Sequence, residues 1–371
     1  FTRASSATVV NKAGLIETVG SGEPRIDFSN DAKGALLLEP TRSNLISYSE
    51  DFSNTYWLIQ NLSASLNSII SPDGTLNATK LIEDSSNSTH RILNGNAITI
   101  SGDVSISVFA KKGERNWIRL TNNNLQGAFF DLENGVIGNV ISGINAKIEN
   151  YGNGWYRCSI SQTGLTSERL AVYTSIDGVN TTYQGDGTSG VYIYGAQVEQ
   201  GSYATSYIPN FGNSAGATRS ADASSQTVPS GIIGQTEGTF FVEVDFGVND
   251  VSDYPAFFLW DGTSNNRILI QRRGNSSTLQ YQVNVSNSIQ VNLIGTTSIG
   301  SGTVKIAIAY KQNDFVCYLN GIEEMSDTSG ITYSGALSQI SFANTRHDKI
   351  SQMELYNTRL SNAELQALTT I

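Results

Sequence analysis

Short runs in which apolar and polar residues alternate, each closed by a turn dipeptide, recur along most of this chain. Val104, Ile106 and Val108 alternate with serines, and Trp117-Ile118-Arg119-Leu120 alternates again. Tyr156, Cys158 and Ile160 share one face, opposite Arg157 and Ser159. Phe240, Val242, Val244 and Phe246 form another such set, as do Val304, Ile306, Ile308 and Tyr310. A period of two is that of a β-strand with one buried face. Between the runs stand Asp73-Gly74, Asn94-Gly95, Asn134-Gly135, Asn153-Gly154, Asp177-Gly178 and Asn320-Gly321, residue pairs that tolerate the positive φ of tight turns. Strands this short and closely spaced build sandwiches or barrels. The 371 residues exceed one ordinary sandwich, since domains run to roughly 100–200 residues.

The expected fold class is all-β: two β-sandwich (jelly-roll) domains with an extended N-terminal segment and one short C-terminal helix. Residues 1–45 hold only short apolar pieces, Gly14-Leu15-Ile16 and Ala35-Leu36-Leu37-Leu38. They are expected to lie extended against the next domain or a neighbouring subunit. Residues 46–208 form the first sandwich and 235–371 the second. The stretch 209–234, poor in large apolar side chains, is the linker, either flexible through Gly and Ser or pinned by Pro209 and Pro229. Ser361-Asn-Ala-Glu364 is a capping box flanked by Leu360 and Leu365, which predicts a closing helix that buries Leu365 and Leu368.

The net charge of −10 is shared by both parts: 15 Lys and Arg against 20 Asp and Glu in 1–229, and 8 against 13 in 230–371. Nucleic-acid binding needs Lys and Arg to neutralise phosphates, so it is not expected. An anionic polysaccharide is disfavoured too, unless a local patch receives it. No run of 18 apolar residues occurs, so no membrane insertion is expected. Phe1 is not an initiator methionine, and the chain reads as a fragment or a processed product. Cys158 and Cys317 fall in different domains, each in an apolar strand, and read as buried free thiols.

The sequence offers little for catalysis. His90 and His347 are the two histidines and are expected in exposed loops. There is no nucleophile elbow, no Cys/His cluster and no phosphate-cradling glycine loop. The chain is therefore expected not to be an enzyme and to need no cofactor. Paired carboxylates stay open, because spacing does not say which acids meet across a sheet. A structural calcium ion is chemically admissible at Asp186, Asp261, Asn265 and Asn266, without EF-hand spacing.

Sugars present apolar C–H faces that stack on Trp and Tyr, and hydroxyls that pair with Asn, Asp and Arg. Tyr254, Trp260, Asp261, Asn266 and Arg267 cluster around the Asp261-Gly262 turn, and Asn344, Arg346 and His347 sit in a second loop. For Trp260, ligand contact and hairpin packing weigh equally. Trp57, Trp117 and Trp155 read as core, and Tyr192, Tyr194, Tyr203 and Tyr207 as surface residues open to a sugar or a partner chain.

The order of motifs resembles bacteriophage tail-fibre and related virion surface proteins. It runs from Gly34-Ala-Leu-Leu-Leu-Glu39-Pro40-Thr-Arg42-Ser-Asn44-Leu45 and Tyr48-Ser-Glu-Asp-Phe52 through Ser107-Val-Phe-Ala-Lys111-Lys-Gly113 and Gly154-Trp155-Tyr156-Arg157. It ends with Gly195-Ala-Gln197-Val-Glu199, Thr205-Ser-Tyr207-Ile-Pro209 and Ala217-Thr-Arg219. The resemblance implies a carbohydrate-binding-module-like jelly roll over 34–219. Residues 235–371 are similar to concanavalin A-like (laminin-G-like) domains, through Gly238-Thr-Phe-Phe241, Tyr318-Leu-Asn-Gly321 and Glu354-Leu-Tyr356. It further implies a homotrimer on the virion surface, exposed outside the cell and touching other virion proteins and host-surface glycans. The function expected is receptor recognition without catalysis. A structural virion component (tail, head-fibre or decoration protein) and a polysaccharide-degrading enzyme or its accessory module are the alternatives.

Overall fold

The alternating runs are strands, and their apolar members meet in two separate cores. The computed structural model describes residues 1–29, 31–247, 256–274, 276–330, 337–343 and 348–371. The chain divides into two units. One comprises 1–4, 21–40 and 220–371, the other 5–20 and 41–219.

In the first, C-terminal unit, Glu237–Phe246 pairs with Gly302–Lys311 on one side and with Asp348–Tyr356 on the other. The register sets Phe240 opposite Ile308 and Val242 opposite Ile306, so one apolar face is continuous. This seven-stranded sheet runs Ile322–Asp327, Asp314–Leu319, Gly302–Lys311, Glu237–Phe246, Asp348–Tyr356, Ala35–Leu38, Ile26–Asp27. Its companion has six strands: Ser224–Thr227, Gln339–Ala343, Ala256–Trp260, Arg267–Arg272, Leu279–Val285 and Ser288–Ile294. Phe240, Val242 and Val244 from the first meet Leu259, Ile268, Ile270 and Tyr281 from the second. Asn320 and Gly321, at φ of 50° and 82°, turn the hairpin the sequence predicts there.

Helix Asn362–Thr369 begins at the expected capping box, Ser361 and Glu364 each bonding the other's backbone N–H. Leu365 is buried with Phe241, Ala307 and Val316 on the far side of the seven-stranded sheet, and Leu360 and Leu368 pack beside it. Among the described residues it is the one helix.

Residues 1–45 differ from a plain extended segment. Ala35–Leu38 pairs with Asp348–Tyr356, with Leu36 opposite Ile350, and puts Leu38 in the core. Non-local pairing of this kind leaves no local signature. Four fully buried charges tie the same region down. Arg25 donates to Glu39 at 2.7 Å and to Asp222, and Arg3 donates to Asp222 at 3.0 Å. Burial alone would lower the Arg25 pKa, but the attraction of Glu39 and Asp222 outweighs it and raises it above the ordinary value. Ser224–Thr227, from the stretch read as a linker, is the edge of the six-stranded sheet.

The second, central unit has two six-stranded sheets. One runs Asn145–Asn150, Trp155–Glu168, Ile98–Lys112, Gly190–Gln200, Leu76–Glu83, Leu62–Ile70. The other runs Val136–Val140, Gly127–Asp131, Trp117–Thr121, Ala171–Ser175, Arg91–Asn94, Trp57–Gln60. Val104, Ile106 and Ile160 of the first pack on Ile118, Leu120, Phe130 and Val172 of the second. The hairpin Ala7–Val10/Ile16–Val19 belongs to this unit, where the Thr8 hydroxyl bonds the Tyr207 carbonyl. Ala217–Arg219 pairs with Arg42–Asn44.

The motif residues of this unit hold buried backbone. Asn44 donates to the carbonyls of Ala196 (3.1 Å) and Ile208 (2.8 Å) and accepts from Ile46 N–H (3.0 Å). Arg157, buried, donates to the Thr205 carbonyl at 2.6 Å and to Ser107 Oγ at 3.0 Å. The Trp155 indole donates to the Ile70 carbonyl at 3.0 Å. These groups satisfy polar atoms that would otherwise be stranded in the interior.

Three expectations need correction, the first being Trp117, read as core, which is half-buried on the side of its strand opposite Ile118 and Leu120. His90 is fully buried and stacked on Tyr183 with ring centroids 4.6 Å apart, because the alternation either side of it turns it inward. Tyr194 and Tyr207 are buried, not surface residues. Their hydroxyls donate to Glu50 Oε1 at 3.0 and 2.9 Å, so each phenol is inside with its polar end paired. Cys158 and Cys317 are buried and free, and burial raises both thiols well above the usual range, which leaves them unreactive.

Candidate functional site

The Asp261-Gly262 turn lies where expected, between Ala256–Trp260 and Arg267–Arg272, with Trp260 opposite Arg267. Asp261 Oδ1 accepts from the Thr263 N–H and hydroxyl, both at 2.7 Å, and Oδ2 from Asn266 Nδ2 at 2.8 Å. Asn266 Oδ1 in turn accepts the Ser286 N–H at 2.9 Å. Burial pushes the Asp261 carboxyl up, yet the bonds from Thr263 and Asn266 outweigh it and hold it below its usual value. Asp261 and Asn266 are therefore occupied in shaping the turn. Asp186 is used in the same way, by Thr188 and Ser189. Among the described residues no group of three or more His, Cys, Asp or Glu could hold a metal. Tyr254, Asn344, Arg346 and His347 lie outside the described residues.

Trp260 and Arg267 belong to something larger than the turn. Phe257, Leu259, Ile268 and Ile270 face the core, so Phe258, Trp260, Arg267 and Leu269 line the opposite face of the sheet. Register extends this outer face across four neighbouring strands. Gln339, Trp260, Arg267 and Asn284 form one row, and Ser341, Phe258, Leu269 and Gln282 the next. The Phe258 and Trp260 rings lie 6.1 Å apart and 35° from parallel, and the Arg267 guanidinium sits 5.8 Å over Phe258. Arg267 donates to Gln282 Oε1 at 3.3 Å. Beyond it an amide chain runs from Gln271 to Gln280 to Asn292, each bond 2.6 Å.

The row has unused hydrogen-bonding capacity. Trp260 Nε1, Arg267 Nε and Asn284 Oδ1 are shielded from solvent and have no partner among the described residues. A buried donor or acceptor left unsatisfied costs about 1–3 kcal/mol, and this row brings three such atoms together on adjacent strands. Trp260 is half-buried.

No family model and no curated protein sequence matches the chain. Among solved structures, it is similar to the CBM40 module of Ruminococcus gnavus IT-sialidase bound to alpha2,3 sialyllactose. That match has 13% identity, covers 37% of this chain and 84% of that one, and has a TM-score of 0.31. The carbohydrate-binding module CBM66 from Bacillus subtilis matches at 10% identity over 37% of this chain and 78% of its own, with a TM-score of 0.26. Chicken galectin 2 matches at 16% identity over 33% and 98%, with a TM-score of 0.24.

In the sequence Trp260 and Arg267 flank one turn, whereas Phe258, Gln282, Asn284 and Gln339 join them only through strand register. Their signal was available in part: Gln280, Gln282 and Asn284 alternate with Tyr281 and Val283, which marks a polar sheet face. Which strand lies beside them was not readable.

Two acids, Glu50 and Asp73, meet around Tyr194, whose hydroxyl lies 3.0 Å from each. Burial raises the Glu50 pKa against the bonds from Tyr207 and Tyr194. With both tyrosines packed on Phe109, this cluster pins the base of the strands.

Proposed function

We propose that this protein binds glycans on the outer face of its C-terminal six-stranded sheet, without catalysis, as a receptor-recognition protein of a phage virion fibre. The Trp260–Arg267–Asn284 row carries the proposal: a half-buried indole whose own N–H, like Arg267 Nε and Asn284 Oδ1 beside it, has no partner among the described residues. A sugar would lay its C–H face on Trp260 and satisfy those polar atoms with its hydroxyls, after small side-chain rotations. Sites of this kind combine aromatic surface with a few placed polar groups. The virion assignment is supported by the order of motifs over 34–219, which here act as fold determinants. A homotrimer belongs to the same reading. It would present the site three times on a rigid particle, so that single-site affinities on the order of millimolar gain by avidity.

A glycan array probed with the full chain tests the binding. Wild type is expected to give defined hits, and Trp260→Ala to weaken them at least ten-fold while leaving the circular-dichroism spectrum unchanged. Hits of equal strength in both proteins would move the site elsewhere. An array without hits would favour a structural virion component. Release of reducing ends or unsaturated products from a bound polysaccharide would contradict a purely binding role, and a solution mass measurement checks the trimer.

A further inference from the structure

The central unit carries a different face with unspent cationic capacity. Gln60, Arg91, Tyr173, Arg119 and Phe129 stand in register on five neighbouring strands. Their chain neighbours Ile92, Val172, Ile118 and Phe130 are in the core, so this row lies on the outer side of the sheet. Trp117, two residues before Arg119 and half-buried, shares that side. Arg91 sits 5.5 Å over the Tyr173 ring and donates to its hydroxyl at 2.8 Å and to Gln60 at 2.9 Å. Arg119 lies 5.4 Å over Phe129 and 5.9 Å over Tyr173, and donates to the Leu125 carbonyl at 2.7 Å. Two cations therefore flank one aromatic ring, two strands apart, roughly 10 Å along the sheet.

Neither guanidinium has a carboxylate partner among the described residues, in a chain with ten more acids than bases. In this unit Lys80, Lys112, Arg115 and Lys147 are paired with acids, while Lys111 and Arg157, like Arg119, donate to carbonyls. A guanidinium has five N–H donors in a planar fork that fits a carboxylate bidentately. Among the described residues the Arg119 guanidinium makes one hydrogen bond, to a carbonyl, which leaves most of its fork available. Burial also depresses the Arg119 pKa, with Tyr173 opposing, so an arriving anion would relieve a strained charge. Guanidiniums held over aromatic rings offer the part that an acidic sugar's carboxylate needs, a fork of N–H donors, and Trp117, packed on Gly178, borders them.

We infer that the Arg91–Tyr173–Arg119–Phe129 ladder is a second binding site, distinct from the Trp260 face, and that it takes a sugar bearing a carboxylate. A long polyanion such as nucleic acid is disfavoured, because the surrounding net charge repels it. The acid is read locally, by two forks.

Calorimetric titration of the full chain with trigalacturonate, a hyaluronan tetrasaccharide and 3′-sialyllactose, each beside its carboxyl-reduced form, tests this. At least one acid is expected to bind, at least ten-fold tighter than its reduced form and more weakly as salt rises. Arg119→Gln and Arg91→Gln are each expected to abolish that preference. Arg119→Lys should retain part of it, as a control for folding and charge, and Trp260→Ala should leave it intact. The inference is overturned if no acid binds, if acid and reduced forms bind alike, or if the glutamine variants match wild type. It is also overturned if Trp260→Ala removes the preference, or if sodium sulfate or acetate competes as strongly as the sugar.

Discussion

Asp222→Ala is expected to remove about 3–5 kcal/mol from the stability of the C-terminal unit, because breaking a buried charge network from one side leaves the others uncompensated. Asp222 accepts from Arg3 and Arg25 and also from the Glu39 N–H at 2.9 Å. Its loss removes one carboxylate from between two buried guanidiniums, Arg3 and Arg25, whose side chains are shut off from solvent. The fault spreads because the network joins three pieces of chain distant in sequence, residues 1–4, 21–40 and 220–223, to one unit. Urea denaturation should show the lowered midpoint, and hydrogen exchange should show lost protection in Glu237–Phe246 and Ala35–Leu38. A loss below about 1 kcal/mol, the scale of an exposed ion pair, would contradict this reading.

The second large effect depends on pH. Glu168 closes the long strand Trp155–Glu168 and is fully buried beside Val104, Ile106, Ile144 and Ile160. Oε1 accepts the N–H groups of Asn123 and Arg169, both at 2.6 Å, while Oε2 has no partner among the described residues. Burial raises its pKa from 4.5 to about 7, the two backbone bonds opposing. Between those values the folded chain holds a proton that the unfolded chain has released. Stability therefore falls as pH rises through that window and is level above it. At about 1.4 kcal/mol per unit, the loss from pH 4.5 to pH 8 is roughly 3 kcal/mol. Glu168→Gln keeps the shape and removes the titration. Relative to wild type it should be near neutral at pH 4.5 and stabilised by roughly 3 kcal/mol at pH 8. Parallel stability curves for the two proteins would refute the assignment.

Local features were legible in the sequence, and non-local ones were not. The alternation of Phe240 to Phe246, the Asn320-Gly321 hairpin and the Ser361 capping box all depend on neighbours within a few residues, and all stand as expected. Leu36 opposite Ile350 and Arg25 against Asp222 join residues far apart, and nothing in either segment announces the other. The tyrosines show a second limit. Tyr194 and Tyr207 look like surface residues because a phenol is amphipathic, and the three-dimensional placement of Glu50, Asp73 and Ser49 lets their hydroxyls go inside. At the site, Trp260 was visible as an aromatic beside a turn. Its amide neighbours come from strands whose order in the sheet follows from packing rather than from spacing.

A crystal structure of the full chain with the strongest glycan-array ligand tests the central claim most directly. The account predicts a sugar ring lying on Trp260, with hydroxyls within hydrogen-bond distance of Trp260 Nε1, Arg267 and Asn284. A ligand bound elsewhere, with the Trp260 face empty, would contradict it.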